Sequence, residues 1–289
     1  MKTSLEYLPE NKRAQISQIV QIIVNSVNPE KIILFGSYAR GKWVEAQHME
    51  GHILHEYVSD YDILVITRRE DDRNEYDIQD MVEARCNFNT PVTIIVHSID
   101  FVNARLTEGQ YFFSDIKKEG ILLYDAGNIP LAEQKELNAA ERKQIAQEDF
   151  NYWFYDAVKF LKGAVLYTND KDLNMAAFML HQAAERTYNA AILVFTGYKS
   201  RTHNLGKLIR LTRDFSPELA MVFPNNSNEE TYLFNLLKKA YIGARYKKEY
   251  VITEEHLVEL VKRIQYLQSI AEKVCKEKIA SLDMATGNQ

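Results

Sequence analysis

Apolar residues recur with two different periods in this chain, and that division constrains the fold more than any single residue does. Up to about residue 128, short β-branched runs alternate with amphipathic stretches; beyond it, apolar residues recur at three- and four-residue steps almost to the end. The change of period falls at Asp125-Ala-Gly-Asn-Ile-Pro130, a cluster of turn formers. Charge changes there too: residues 1–128 hold 13 Lys and Arg against 20 Asp and Glu, whereas residues 129–289 hold 22 against 20. Two domains are therefore expected, 1–128 and 129–289.

Composition removes several classes. The formal net charge of −5 argues against a surface built to grip nucleic-acid phosphates, so nucleic acid is not expected as the main partner. No apolar run approaches the ~18 residues of a membrane helix, and Met1 to Leu8 lacks the basic start and apolar stretch of a secretory signal. A cytoplasmic protein with no membrane partner is the expectation. Cys86 and Cys275 are far apart and outside any C-x-x-C pair, which excludes a disulfide scaffold or cysteine zinc site and leaves two buried, inert thiols.

In the first segment, Ile16, Ile19, Val20, Ile23, Val24 and Val27 predict an amphipathic helix that Asn28-Pro29 stops. Lys31–Phe35, Tyr61–Ile66 and Val92–Val96 are strand candidates. Residues 74 to 87 and roughly 108 to 119 read as helices, the latter leading into Gly120-Ile-Leu-Leu-Tyr124. The fold class that follows is a small mixed α/β sheet.

Two motifs carry chemistry. Phe35-Gly-Ser-Tyr-Ala-Arg-Gly41 puts a glycine and a serine where a strand turns toward a helix. Gly36 lets backbone amides approach a phosphate, and the Ser37 hydroxyl adds a donor. By itself this is only a turn, and it matches neither G-x-x-x-x-G-K-[ST] nor G-x-G-x-x-G. In Ser59-Asp60-Tyr61-Asp62, however, two carboxylates at i and i+2 of a strand leave the same face. They repel unless a cation joins them. Mg²⁺ takes one or two carboxylates plus phosphate oxygens, and a pair of such ions can clamp an in-line phosphoryl transfer. Two solvated aspartates on a surface strand are the alternative.

Gly36-Ser37-x-Ala39-Arg40-Gly41 followed by Ser59-Asp60-x-Asp62 resembles the signature of the minimal nucleotidyltransferases of the DNA polymerase beta-like superfamily. The resemblance implies Mg²⁺- or Mn²⁺-dependent transfer of a nucleoside monophosphate from a nucleoside triphosphate, ATP by expectation, to a hydroxyl of a small molecule or protein. It implies Asp60 and Asp62 as catalytic metal ligands, and Gly36, Ser37 and Arg40 at the nucleotide.

The chain departs from that pattern twice. Lys42 to Val58 is an insertion beside the site; His48, His52 and His55 fall at i, i+4, i+7, one face if helical and able to bind a transition metal, but Gly51 interrupts them and no cysteine assists, and solvated histidines in a loop are the commoner outcome of such a pattern. The family's third carboxylate, on the next strand, is matched here by Thr93, a neutral hydroxyl that neither anchors Mg²⁺ strongly nor accepts a proton at neutral pH. His97 shares the face of Thr93 by alternation and is a candidate base, or else a structural residue.

Beyond residue 129, four apolar sets at helical spacing predict an up-and-down bundle: Trp153 to Val165, Leu173 to Val194, Tyr232 to Ala240 and Leu257 to Val274. A shorter helix over about 203–213, with Thr202 as candidate cap, and a turn-rich Phe215–Ser227 complete it. His181-Gln-x-x-Glu185, His203-Asn-Leu205 and Ala244-Arg-Tyr246 together resemble a HEPN domain, over roughly 141–279. His181, Glu185, His203 and Arg245 are then candidates either to satisfy one another or to line a groove; Tyr246 and Tyr250 are candidate hydroxyl acceptors, and a homodimer through the helical domain is an expected partner arrangement. The metal-independent ribonuclease pattern of many HEPN domains, an Arg and then a His after four to six residues, precedes none of His181, His203 or His256. Besides the enzyme, two readings remain: a nucleotide sensor without turnover whose HEPN domain binds a partner, and an antitoxin-like regulator from a toxin-antitoxin lineage.

Overall fold

The computed structural model describes residues 1–50, 53–68, 75–86, 88 and 90–284. It divides the chain into Met1–Glu136 and Leu137–Gln289.

In the first unit, α1 (Glu10–Val27) places Ile16, Ile19, Ile23 and Val27 on one buried face and stops at Asn28, whose φ of 50° is left-handed. The strands β1 (Lys31–Phe35), β4 (Tyr61–Thr67), β5 (Val92–Ser98) and β6 (Ile121–Asp125) form one sheet in the order β5-β4-β1-β6. β1 runs antiparallel to both β4 and β6, while β4 and β5 are parallel. α3 (Glu75–Arg85) supplies the crossover that a parallel pair requires. Ile32, Leu34, Tyr61, Ile63, Val65, Val92 and Ile94 pack on the α1 side in one core; strand alternation sends Asp62, Thr93 and His97 to the other face.

Three local features differ from or add to the expectations. The insertion is not helical but a hairpin, β2 (Glu45–Glu50) and β3 (Ile53–Val58), whose register opposes His48 to His55; Gly51 and His52 lie outside the described residues. The helical i, i+4, i+7 arrangement is thereby lost, while the hairpin register sets His48 and His55 directly across from each other. The helix expected near 108–119 is present as α5 (Tyr111–Glu119), but an additional helix precedes it, α4 (Ile99–Thr107), capped by Ser98 accepting from the Phe101 amide and separated from α5 at Gly109 with φ 81°. Finally, residues 129–136 remain with the first unit. The Ile129 amide donates to Glu30, that of Ala132 to Asn103 and that of Lys135 to the Leu106 carbonyl.

The second unit is a helical bundle of α6 (Ala139–Asn169), α7 (Leu173–Thr196), α10 (Asn228–Tyr246) and α11 (Glu254–Met284), with short α8 (Leu205–Thr212) and α9 (Pro217–Ala220) between the second and third long helices. α7 packs against the other three long helices. Its composition suits that place: Ala176, Ala177, Ala183, Ala184, Ala190 and Ala191 are fully buried and let the neighbours close in. α8 is capped by Asn204, which accepts from the Gly206 and Lys207 amides, and not by Thr202.

Candidate functional site

The first site is assembled at one end of the sheet. β1 leaves Phe35 extended, and Gly36, at φ 73°, turns the chain into α2 (Gly36–Arg40). A side chain at that φ would strain the turn by roughly 1–2 kcal/mol. Gly41, at φ 69°, closes α2 with its amide on the Ser37 and Tyr38 carbonyls. Five residues give a weak dipole, so any hold on an anion rests on the turn's amides and on Ser37. Ser37 is only 7% exposed, and its Oγ has no hydrogen-bond partner among the described residues. Tyr38 fixes α2 in place: it is fully buried, stacks on Trp43 at 5.6 Å and 11°, and meets Tyr61 at 4.5 Å, while the Tyr7 hydroxyl donates to its carbonyl.

β4 brings the carboxylates to the same end. Asp62 lies in register with Phe35 on one side and Thr93 on the other. Asp60, just before the strand, is buried, and Thr93 Oγ1 donates to its Oδ2 at 3.1 Å. The segment is fastened from both sides: Ser59 and Val44 exchange hydrogen bonds of 2.9 Å, and the Tyr61 amide donates to the Pro91 carbonyl. Arg40 ends α2 and lies 3.9 Å from Glu119 of α5, a solvent-screened pair. Among the described residues, no three His, Cys, Asp or Glu side chains gather as a metal site.

His97 is not a base for these groups. It lies four residues along β5 from Thr93, roughly 13 Å at strand rise, buried in a stack on Phe101 at 4.4 Å and edge-on to Phe113. Asp100 is farther still, in the first turn of α4.

In the second unit the polar candidates gather around a residue that belongs to none of the sequence motifs, Tyr241. His203 Nδ1 donates to both Glu185 oxygens at 3.0 and 3.1 Å, and its ring, half exposed, stacks on Tyr241 at 4.3 Å and 16°. His181 is fully buried, 5.2 Å from the same ring; Gln182 bridges it to Glu185. With Nδ1 accepting from Gln182, the His181 proton resides on Nε2, which is buried without a partner among the described residues. Burial pushes His181 down to about 4, helped by the charges of His203 and Arg245 and opposed by the His203 backbone. Arg245 donates to the Tyr241 carbonyl and lies over the Tyr241 and Phe178 rings at 4.5 and 4.4 Å. Tyr241 sits one helical turn before Arg245, so the i, i+4 spacing was the signal for it. Of the two tyrosines expected as acceptors, Tyr246 is exposed, but Tyr250 is buried and donates to the Leu236 carbonyl. Burial raises its hydroxyl above the usual range, which withholds it as a nucleophile.

A small mixed sheet with a Gly-Ser turn and an Asp-x-Asp pair, followed by a helical bundle, defines the class: a nucleotidyltransferase-like domain joined to an all-helical one. Residues 17–128 match the family described as Polymerase beta, Nucleotidyltransferase, and residues 150–274 match the HEPN domain. The chain is a fusion of these two families. No curated protein matches it. Among solved structures, the crystal structure of TT1696 from Thermus thermophilus is similar over 43% of this chain and 97% of its own, at 20% identity and a TM-score of 0.34.

Proposed function

We propose that the first domain binds a nucleoside triphosphate with its divalent cation, and that it transfers the nucleoside monophosphate to a hydroxyl of a small molecule or protein. The single observation that carries the binding is the buried Ser37 hydroxyl, without a hydrogen-bond partner among the described residues, in the turn made by Gly36 at the sheet end that holds Asp60 and Asp62. An orphaned buried donor costs about 1–3 kcal/mol, and a phosphate oxygen relieves it. The donor set suits Mg²⁺ or Mn²⁺: hard carboxylate oxygens from Asp60 and Asp62, with the remaining positions left to phosphate and water. When bound, such a cation offsets charge on the triphosphate and aligns it for in-line displacement of pyrophosphate. The Gly36 turn holds phosphate oxygens, Ser37 donates to one of them, and the two carboxylates set the cation's place. ATP is the triphosphate expected.

A second reading, a sensor that binds nucleotide without turnover, is favoured by one observation. The residue facing the carboxylates from β5 is Thr93, and no third carboxylate joins them among the described residues.

Calorimetry with ATP, GTP, CTP and UTP in the presence of Mg²⁺ tests the binding. Asp60→Asn with Asp62→Asn should abolish metal-dependent affinity. Ser37→Ala should weaken it ~tenfold, a loss of about 1.4 kcal/mol, while leaving thermal stability equal or higher, because an unsatisfied group is removed. Unchanged affinity in the double variant would falsify the reading. Label appearing on protein or co-purified ligand from α-labelled triphosphate separates transfer from sensing.

A further inference from the structure

The neighbour of Asp60 from β5 is a hydroxyl, and no third carboxylate joins the pair among the described residues. Parallel β4 and β5 put Asp62 and Thr93 in register, so their side chains leave the same face about 5 Å apart. Thr93 is buried, and its Oγ1 proton is directed at Asp60 Oδ2 across 3.1 Å. Resting on the nucleotide-binding reading above, we infer that this is a one-cation site, in which Thr93 is a positioning residue for Asp60 and withholds the ligand that a second cation needs.

A cation chelated by phosphates takes one or two carboxylates, which Asp60 and Asp62 supply. A second ion about 4 Å away adds another double positive charge to the same space and requires a further anionic ligand on the acceptor side. On β5 the residue level with Asp62 is Thr93, neutral and donating where a ligand would have to accept. Asp100 is carried to the far end of β5 and into α4. Thr93 is equally unable to take a proton. Transfer would form a bond from an acceptor oxygen to the α-phosphorus, break the bond to the pyrophosphate oxygen and release the hydroxyl proton. A threonine hydroxyl accepts no proton at neutral pH. In any transfer the proton would therefore pass to solvent water, and the single cation would serve chiefly to anchor the bound triphosphate.

The geometry also gives Thr93 a positive role. A buried carboxylate fixed by a hydroxyl at Oδ2 is held in one rotamer, ready for the nucleotide's cation, so removing the donor weakens cation binding without changing the count.

Mn²⁺ titration of the full chain with α,β-methylene-ATP, read by calorimetry and electron paramagnetic resonance, tests this. The wild type should bind one Mn²⁺ per chain with an uncoupled six-line spectrum. Thr93→Asp should bind two and show exchange coupling. Thr93→Val should keep one ion but bind it ~tenfold more weakly, and Thr93→Ser should restore the affinity. Two coupled ions in the wild type, or undiminished affinity in Thr93→Val, overturn the inference while leaving nucleotide binding intact. No binding of the Mn²⁺ and analogue pair by the wild type removes the nucleotide-binding reading and the inference together.

Discussion

At the scale of single residues, the second domain stores a measurable electrostatic cost in His181. Its pKa falls from 6.5 to about 4, burial being the main cause. Because the unfolded chain takes up the proton first, the native state is penalised as pH drops through 6.5, and the penalty levels off below about 4. The magnitude is at most about 3.5 kcal/mol, since each unit is worth about 1.4 kcal/mol. His181→Gln should therefore lose less stability than the wild type between pH 7 and pH 4.5 in parallel thermal melts; identical pH slopes would place the acid sensitivity elsewhere. Residue-level legibility was uneven. Thr93 could be picked out because β5 is legible from its local pattern and the family resemblance then marks the position on it where a third carboxylate is expected. Tyr241 was overlooked because an aromatic at helical spacing reads as core until its ring is seen between a histidine and an arginine.

Among the elements, the seam between α5 and the sheet is tightly packed at Gly120. A Cβ at Gly120 would collide with the Ile116 carbonyl, come within 2.8 Å of Ile33 Cγ2 and lie 3.2 Å from the Leu34 carbonyl. Gly120→Ala should cost about 1–3 kcal/mol of stability in the first domain, the usual range for overpacking, in urea unfolding of the full chain; a change within about 0.5 kcal/mol, the usual scatter of surface substitutions, would show that the seam yields. The apolar strands at 31–35, 61–67 and 92–98 and the long helices were readable from periodicity, since burial imposes periods of 2 and 3.6. The β2–β3 hairpin was not. Few β-branched residues mark it, and a strand's identity there depends on its cross-strand partner more than on its own propensity. α4 was overlooked for a related reason: its Ser98 cap follows directly on a strand, so the change of period falls inside one short stretch.

Taken whole, the molecule is two compact units with separate cores, Met1–Glu136 and Leu137–Gln289. Each should fold when expressed alone, with separate cooperative melts, and Mg²⁺ with ATP should raise the melting temperature of the first fragment only. The helical fragment should leave single-stranded RNA intact without metal: Arg245 is turned to the Tyr241 carbonyl, and His203 Nδ1 is bound to Glu185. Cleavage abolished by His203→Ala would overturn that.

Glu30 gives the connection between the units a mechanical character. Burial alone would raise its carboxyl, but hydrogen bonds from Ile129, Asn128 and Arg68 outweigh this and hold it below the usual carboxylate range. Going back along the chain from residue 137, the Lys135 amide is pinned first, then Ala132 and Pro130 by Asn103, and then Ile129 and Asn128 by Glu30. Tension drawn through the helical bundle is thus spent on a series of sacrificial anchors before any of it reaches β6, and the sheet end that carries Ser37, Asp60 and Asp62 is insulated from the load.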